Sequence, residues 1–262
     1  MHTGTRTAKS HDDEMTRSSI RSISASGDSR TPPDPAAILS WFKSNGRDFP
    51  WRRNKAPRYR YRQIVSEVLL RRTRAATVDR IYYKFFRDRF PTWKSLAVAR
   101  QSDLEELLFE LGMWRERART LPLLAKAVVE MDYRLPAERS ALEKLPGVGL
   151  YVASAILLFR HGQSEPLLDR NMSRVLCRFH GLVEPVDLRH DRNLYDLART
   201  FVTSIDRSRV IELNWAVLDL AALICKPRPA TPSCHACPLK SQCKHAQHQT
   251  KECMKDTTRK TV

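Results

Sequence analysis

Four features of this 262-residue chain have the residue types and spacing to do chemistry. Leu145-Pro146-Gly147-Val148-Gly149 places a proline and two glycines between two helix-like runs, and glycine supplies the positive φ that a tight turn needs. A helix that starts after such a turn has unpaired backbone N–H groups, which can hold a phosphate. The same pattern also suits a plain helix–helix corner in which glycine allows close packing. Tyr151 lies two residues past the turn, and Asp169 eighteen residues after that, where an isolated carboxylate reads as a helix N-cap. Glu67 falls beside the apolar face of a helical run over 64–73, where a carboxylate is ordinarily solvated or paired with arginine. Cys225, Cys234, Cys237 and Cys243 form C-x8-C-x2-C-x5-C, a spacing that suits one metal centre, either a four-iron cluster or a single zinc. Spacing alone favours zinc; paired disulfides do not suit a long chain without a secretion signal.

The elements that must position these groups read as helices. Ile64, Val68 and Leu69 share one face, with Val65 beside them. Before them, a short helix from Ala36 ends near Asn45-Gly46, and Arg47 to Arg52 reads as a turn carrying two aromatics and two arginines, followed by the basic patch Arg58–Arg62. After them, amphipathic runs cover 78–86, 93–98, 103–111, 117–131 and 137–144, with Met113-Trp114 in the turn behind Gly112. Past Asp169 the helical pattern continues over 172–179, 194–205 and 211–224. Helices without intervening strands, few alternating β-branched runs and only 8 glycines predict an all-α fold. The first 34 residues are poor in large aliphatics and predict a disordered tail, with neither the apolar core of a secretory signal nor the acid-poor composition of a transit peptide. A second basic tail is expected over 246–262. No apolar run approaches the roughly 20 residues that span a bilayer, which predicts a soluble, cytoplasmic protein. Lys and Arg number 46 against 29 Asp and Glu, a net charge of +17, which calls for a polyanionic partner, nucleic acid before membrane surface.

Taken together, LPGVG, Tyr151 and Asp169 resemble the helix-hairpin-helix DNA glycosylases, and the resemblance covers roughly Ala36 to Cys243. It implies that Gly147, Val148 and Gly149 grip a DNA phosphate and that Asp169 acts on the sugar of a base rotated out of the duplex. Cleaving an N-glycosidic bond develops oxocarbenium charge on the deoxyribose, which Asp169 would stabilise while helping to direct water. The cysteine loop is similar to the [4Fe–4S] loop of endonuclease III and of the adenine mismatch glycosylases. Its first interval is eight residues where six is usual, and three prolines fill the added length. A cluster there would be structural, fixing a basic loop against DNA; zinc is the alternative. Endonuclease III carries at position 151 a lysine that forms a Schiff base. Tyr151 has no amine, so the resemblance implies release of a base without strand cleavage from this position.

Tyr151 and the segment Ser66-Glu67-Val68-Leu69-Leu70 resemble both thymine and adenine mismatch glycosylases. Adenine needs a proton from such a carboxyl before it leaves, whereas thymine can depart as an anion held at its carbonyl oxygens. Leu69-Leu70-Arg71-Arg72-Thr73 and Phe49-Pro50-Trp51-Arg52 look closer to the thymine enzymes, and the chain ends soon after Cys243, with no room for the further domain of adenine enzymes. Arg115-x-Arg117-Ala118-Arg119 is similar instead to the adenine enzymes. The expected substrate is thymine or uracil opposite guanine in double-stranded DNA, with adenine opposite guanine or oxidised guanine as the alternative and binding without catalysis as a distant third. By motif position Arg72, next to Arg71, would fill the vacated stack, and Met113 would wedge the opposite strand. The expected architecture is a monomer of two helical domains, 61–162 and 35–60 with 163–245, facing each other across a cleft.

Overall fold

The computed structural model describes residues 31–53, 60–189 and 191–248. Of the tails expected over 1–34 and 246–262, residues 1–30 and 249–262 lie outside them, as do the Arg58 end of the basic patch and Cys253. Residues 244–248 are helical and Ala246 is buried, so 246–248 are not part of a disordered tail. Among the described residues every regular element is helical. The α-helices are α1 (Pro35–Asn45), α2 (Pro50–Arg53), α3 (Arg60–Leu70), α4 (Ala75–Tyr83), α5 (Trp93–Ala97), α6 (Gln101–Leu108), α7 (Trp114–Glu130), α8 (Arg139–Leu142), α9 (Leu150–His161), α10 (Arg170–His180), α11 (Arg192–Thr203) and α12 (Val210–Leu223).

Local chemistry sets the helix ends. Asp34 caps α1 by accepting from the N–H groups of Ala36 at 2.9 Å and Ala37 at 3.3 Å, and Pro35 occupies the first turn, where no N–H is needed. Thr92 and Ser95 form a reciprocal capping box on α5. Gly162 and Gly181 end α9 and α10 at φ of 62° and 66°, in the left-handed region that glycine enters without strain.

Several boundaries differ from those expected. The Arg47–Arg52 segment is not all turn, since Pro50–Arg53 forms one helical turn. The run expected over 78–86 passes from α-helix into a wider π turn at Lys84–Arg89, so that Phe85, Phe86 and Phe90 all reach the core. Helix α8 is four residues rather than eight, with no side-chain cap at Glu138 to support an earlier start. Trp114 opens α7 instead of lying in the turn.

The closest helix pairs fall into three groups: α3 packs on α9 and α4, and α8 on α9; α5 and α6 pack on α7; and α1, α10 and α11 pack on α12. Helix α2 rests on α3 from the chain segment that leads out of α1. An ion cluster fastens that segment to α12. Asp219, fully buried, accepts from the Arg47 backbone N–H at 2.7 Å, from Arg47 Nη2 at 2.7 Å and from Arg52 Nη1 at 2.9 Å. The two guanidinium groups also lie 5.0 and 5.1 Å from the centre of the Phe49 ring, which itself stacks on Trp51 at 4.6 Å.

Removing one partner of a buried charge cluster strands the others. Asp219→Ala is therefore expected to lower stability by about 3 kcal/mol in urea unfolding. The pair Asp48–Arg53 has both side chains more than half exposed, and Asp48→Ala should leave the urea midpoint unchanged. Equal losses for the two variants would contradict this division.

Candidate active site

The glycine turn comes first because two other groups are hung from it. Gly147 has φ of 73°, and a side chain there would press on Thr120 of α7 at 3.4 Å. Gly149 precedes α9 with extended backbone, no side-chain cap, and open space where a side chain would point. The first N–H groups of α9 are thus free of a capping side chain. Val148 contributes differently: its side chain is core, and its N–H bonds the Leu145 carbonyl at 3.1 Å. Arg71 Nη1 donates to the Gly147 carbonyl at 3.3 Å, tying the end of α3 to the turn.

Helix α9 then carries Tyr151 to α3. The tyrosine hydroxyl donates to Glu67 Oε2 at 2.7 Å. Glu67 is only 3 % exposed, because α3 is covered on nearly every face from Gln63 to Leu69. Burial pushes its carboxyl up to about 7; the Tyr151 hydrogen bond and the Arg52 charge oppose the shift, and Asp169 adds to it. The same burial, with the neighbouring carboxylates, holds the Tyr151 hydroxyl well above its ordinary range.

Asp169 caps α10. Its Oδ1 accepts from the N–H groups of Asn171 at 2.8 Å and Met172 at 2.9 Å, and its Oδ2 accepts from Asn171 Nδ2 at 2.6 Å. Burial raises its affinity for a proton, and these donors together with the Arg174 charge pull the other way. Arg174 extends the chain of contacts: Nη2 donates to Asn171 Oδ1 at 3.1 Å and Nε to the Cys225 carbonyl at 2.7 Å. Glu67, Tyr151 and Asp169 all line one cleft of about 850 Å³, within the range of about 300–1,000 Å³ for ligand sites. Arg52, Arg72, Gly149 and Trp215 share its wall.

Arg72 and Met113 both have positive φ, 53° and 57°, a strained conformation for side chains of their kind. Their two turns touch: a side chain on Gly112 would meet the Arg72 carbonyl at 3.4 Å, and the buried Arg117 donates to the Arg71 carbonyl. Arg72 is exposed in the cleft wall, and Met113, 40 % exposed, lies outside it.

Cys225, Cys234, Cys237 and Cys243 line a small cavity closed by Val175, Phe179, Leu220, Ile224 and Leu239. Arg178 Nη1 reaches Cys225 Sγ at 3.4 Å, and the Ser233 N–H closes the loop on the Ile224 carbonyl at 2.9 Å. Among the described residues no three His, Cys, Asp or Glu side chains are set as ligands of a single ion. Burial pushes the Cys237 thiol up to about 11. Cys177 is buried in α10, away from this cavity.

Two supporting residues, Asn214 and Trp215, left no mark in the sequence. Asn214, fully buried on α12, accepts from the Leu167 N–H at 2.6 Å and donates to the Glu165 carbonyl at 3.1 Å, pinning the strand-like segment before Asp169. Arg52 and Trp215 enter the cleft from elements far apart in the chain.

The Glu67 shift has a consequence for stability. From its ordinary value near 4.5 up to about 7, the native state keeps a proton that the unfolded chain has released. Stability must therefore fall as pH rises through that window and level off above it. Glu67→Gln removes this dependence. Between pH 5 and pH 8, urea unfolding should show the wild type losing on the order of 3 kcal/mol relative to the Gln variant. A difference that does not change with pH would place Glu67 in contact with water.

Residues 65–196 match the family model described as the HhH-GPD superfamily base excision DNA repair protein. The thymine-DNA glycosylase of Aeropyrum pernix is 40% identical over 210 residues, covering 79% of this chain and 91% of that protein. The human adenine DNA glycosylase is 34% identical, over 82% of this chain and 40% of its own length. Among solved structures, a thermostable thymine-DNA glycosylase superposes with a TM-score of 0.71 at 30% identity, covering 82% of this chain and 95% of that one. An endonuclease III–DNA complex, at 20% identity and a TM-score of 0.65, shares the fold. With its glycine hairpin leading into α9 and Asp169 capping α10, this chain belongs to the helix-hairpin-helix superfamily of base excision DNA repair proteins.

Proposed function

We propose that this protein is a monofunctional DNA glycosylase that hydrolyses the N-glycosidic bond of thymine or uracil mispaired with guanine in double-stranded DNA. The observation that carries the reading is the placement of Glu67, Tyr151 and Asp169 in one cleft of a chain similar to thymine and thymine/uracil glycosylases along most of its length. The helices of 61–162 act as one domain and those of 35–60 with 163–245 as the other, on either side of that cleft, and the enzyme works as a monomer. The hairpin N–H groups hold a phosphate of the target strand, and the net charge of +17 favours the polyanion. The base turns out of the stack, a step easiest at a mismatch. Arg72 fills the space it leaves and Met113 wedges the opposite strand, both presented on turns whose backbone strain the surrounding packing sustains.

Asp169 then stabilises the positive charge that develops on the sugar and steers water to it. Glu67, with Tyr151 fixed on one of its oxygens, positions the extruded base or the water. No amine stands at position 151, so the product is an abasic site on an uncut strand. A second reading has two observations in its favour. A carboxyl titrating near 7 can protonate a purine, as adenine would require, and adenine glycosylases are also among the relatives.

Four thiols lining one apolar cavity behind α12 support a [4Fe–4S] cluster held by them, with zinc as the alternative. Cys225, Cys234, Cys237 and Cys243 would hold the cluster, which supplies structural rigidity to the loop. Arg178 would offset thiolate charge.

Single-turnover assays on duplexes carrying T:G, U:G, A:G and A opposite oxidised guanine test the substrate. Release is expected from T:G and U:G, with strand breaks only after alkali, and slower for Arg72→Ala. The purified protein should be brown and lose its visible absorption when Cys237 is replaced by Ser. Release confined to the adenine duplexes would give the site to the second reading, and a colourless, zinc-loaded protein would remove the cluster.

A further inference from the structure

Away from the reacting groups, a buried polar cluster joins the hairpin to the segment that carries Asp169. Arg139 on α8 donates from Nη1 to the Leu150 carbonyl at 3.2 Å, at the first helical residue behind the glycine turn. Its Nη2 reaches Glu165 Oε2 at 2.5 Å, the Tyr195 hydroxyl at 2.6 Å and Ser154 Oγ at 3.1 Å. The Tyr195 hydroxyl also donates to Glu165 Oε2. Tyr195 belongs to α11, one of the helices packed on α12. Glu165 is 5 % exposed, and its own carbonyl is held by Asn214. Between Glu165 and Asp169 lie Pro166, Leu167 and Leu168, all buried, so a shift at Glu165 has little slack to absorb it before the reacting carboxylate.

We propose that Arg139, Glu165 and Tyr195 form a latch between the α8–α9 pair and the helices packed on α12, with Glu165 as a positioning residue that fixes Asp169 relative to the phosphate-gripping hairpin. The proposal rests on the glycosylase reading above. Stability alone does not account for the cluster, since apolar residues of the same size commonly replace a buried ion pair without loss. Geometry does: the hairpin sets where the DNA backbone lies, Asp169 must meet a sugar on that backbone, and a misplacement of about 1 Å at a reacting group can cost about 100-fold in rate.

Glu165→Gln, Tyr195→Phe and the double variant test it. Each single variant is expected to release thymine from a T:G duplex about 10- to 100-fold more slowly under single turnover, with affinity for the same duplex changed less than about threefold. Because both changes open one latch, the double variant should be no slower than the slower single variant. Thermal melting run alongside must show all three variants folded at the assay temperature, so that the rates do not report unfolding. Single-variant rates within about twofold of wild type, additive losses, or losses that follow the unfolded fraction would overturn the latch. Failure of the glycosylase reading is seen separately, as a wild type that releases neither thymine nor uracil, and the latch falls with it.

Discussion

Taking a carboxylate out of water raises its free energy unless donors or cations replace the lost hydration, and the structure around the cleft is arranged by that constraint. Asp219 meets it with two arginines, and in doing so fastens the Arg47–Arg52 segment to α12. Asp169 meets it with three N–H donors at the start of α10 and stays at the cleft surface. Glu67 is met least, by one tyrosine hydroxyl and a distant arginine, and so holds its proton up to about 7. Burial raises the proton affinity of both cleft carboxyl groups; Glu67 can act as an acid or a hydrogen-bond donor at neutral pH, while Asp169 is furnished with donors that favour its charged form.

The same arrangement makes the distant cysteine loop relevant to the cleft. Asp169 is held by Asn171, Asn171 by Arg174, and Arg174 by the Cys225 carbonyl at the loop's first residue. Whatever fixes the four cysteines also fixes the far end of this chain of contacts. On the opposite side, Arg117 bonds the Arg71 carbonyl and Gly112 lets its turn approach the Arg72 carbonyl closely, so the two strained residues are presented on adjoining turns.

Much of this was legible in the sequence, and the residues show why. Helical periodicity placed α3, α7, α10 and α12 to within a few residues because each has an apolar stripe that needs covering. The glycine turn was legible because Gly147 must adopt a positive φ. Glu67 was not legible as a buried acid: periodicity identifies one covered face, whereas α3 is covered on almost all of them by α9, α4 and α2. The Arg47–Arg52–Asp219 cluster joins residues 172 and 167 positions apart, which no local pattern reveals. Asn214, Glu165 and Tyr195 are likewise ordinary helix-surface or loop residues until the tertiary fold brings them together. The positive φ at Arg72 and Met113 runs against the preferences of those side chains, so only the assembled structure displays it.

In the proposed reaction Asp169 performs the chemistry and does more than cap a helix. Asp169→Asn separates the two roles, since the amide oxygen can still accept from the Asn171 and Met172 N–H groups while the charge is lost. Single-turnover base release from a T:G duplex, measured beside binding of the same duplex, should fall by at least about 1,000-fold, the equivalent of about 4 kcal/mol of transition-state stabilisation, with affinity retained. A variant that binds normally and releases thymine within about tenfold of the wild-type rate would contradict the account.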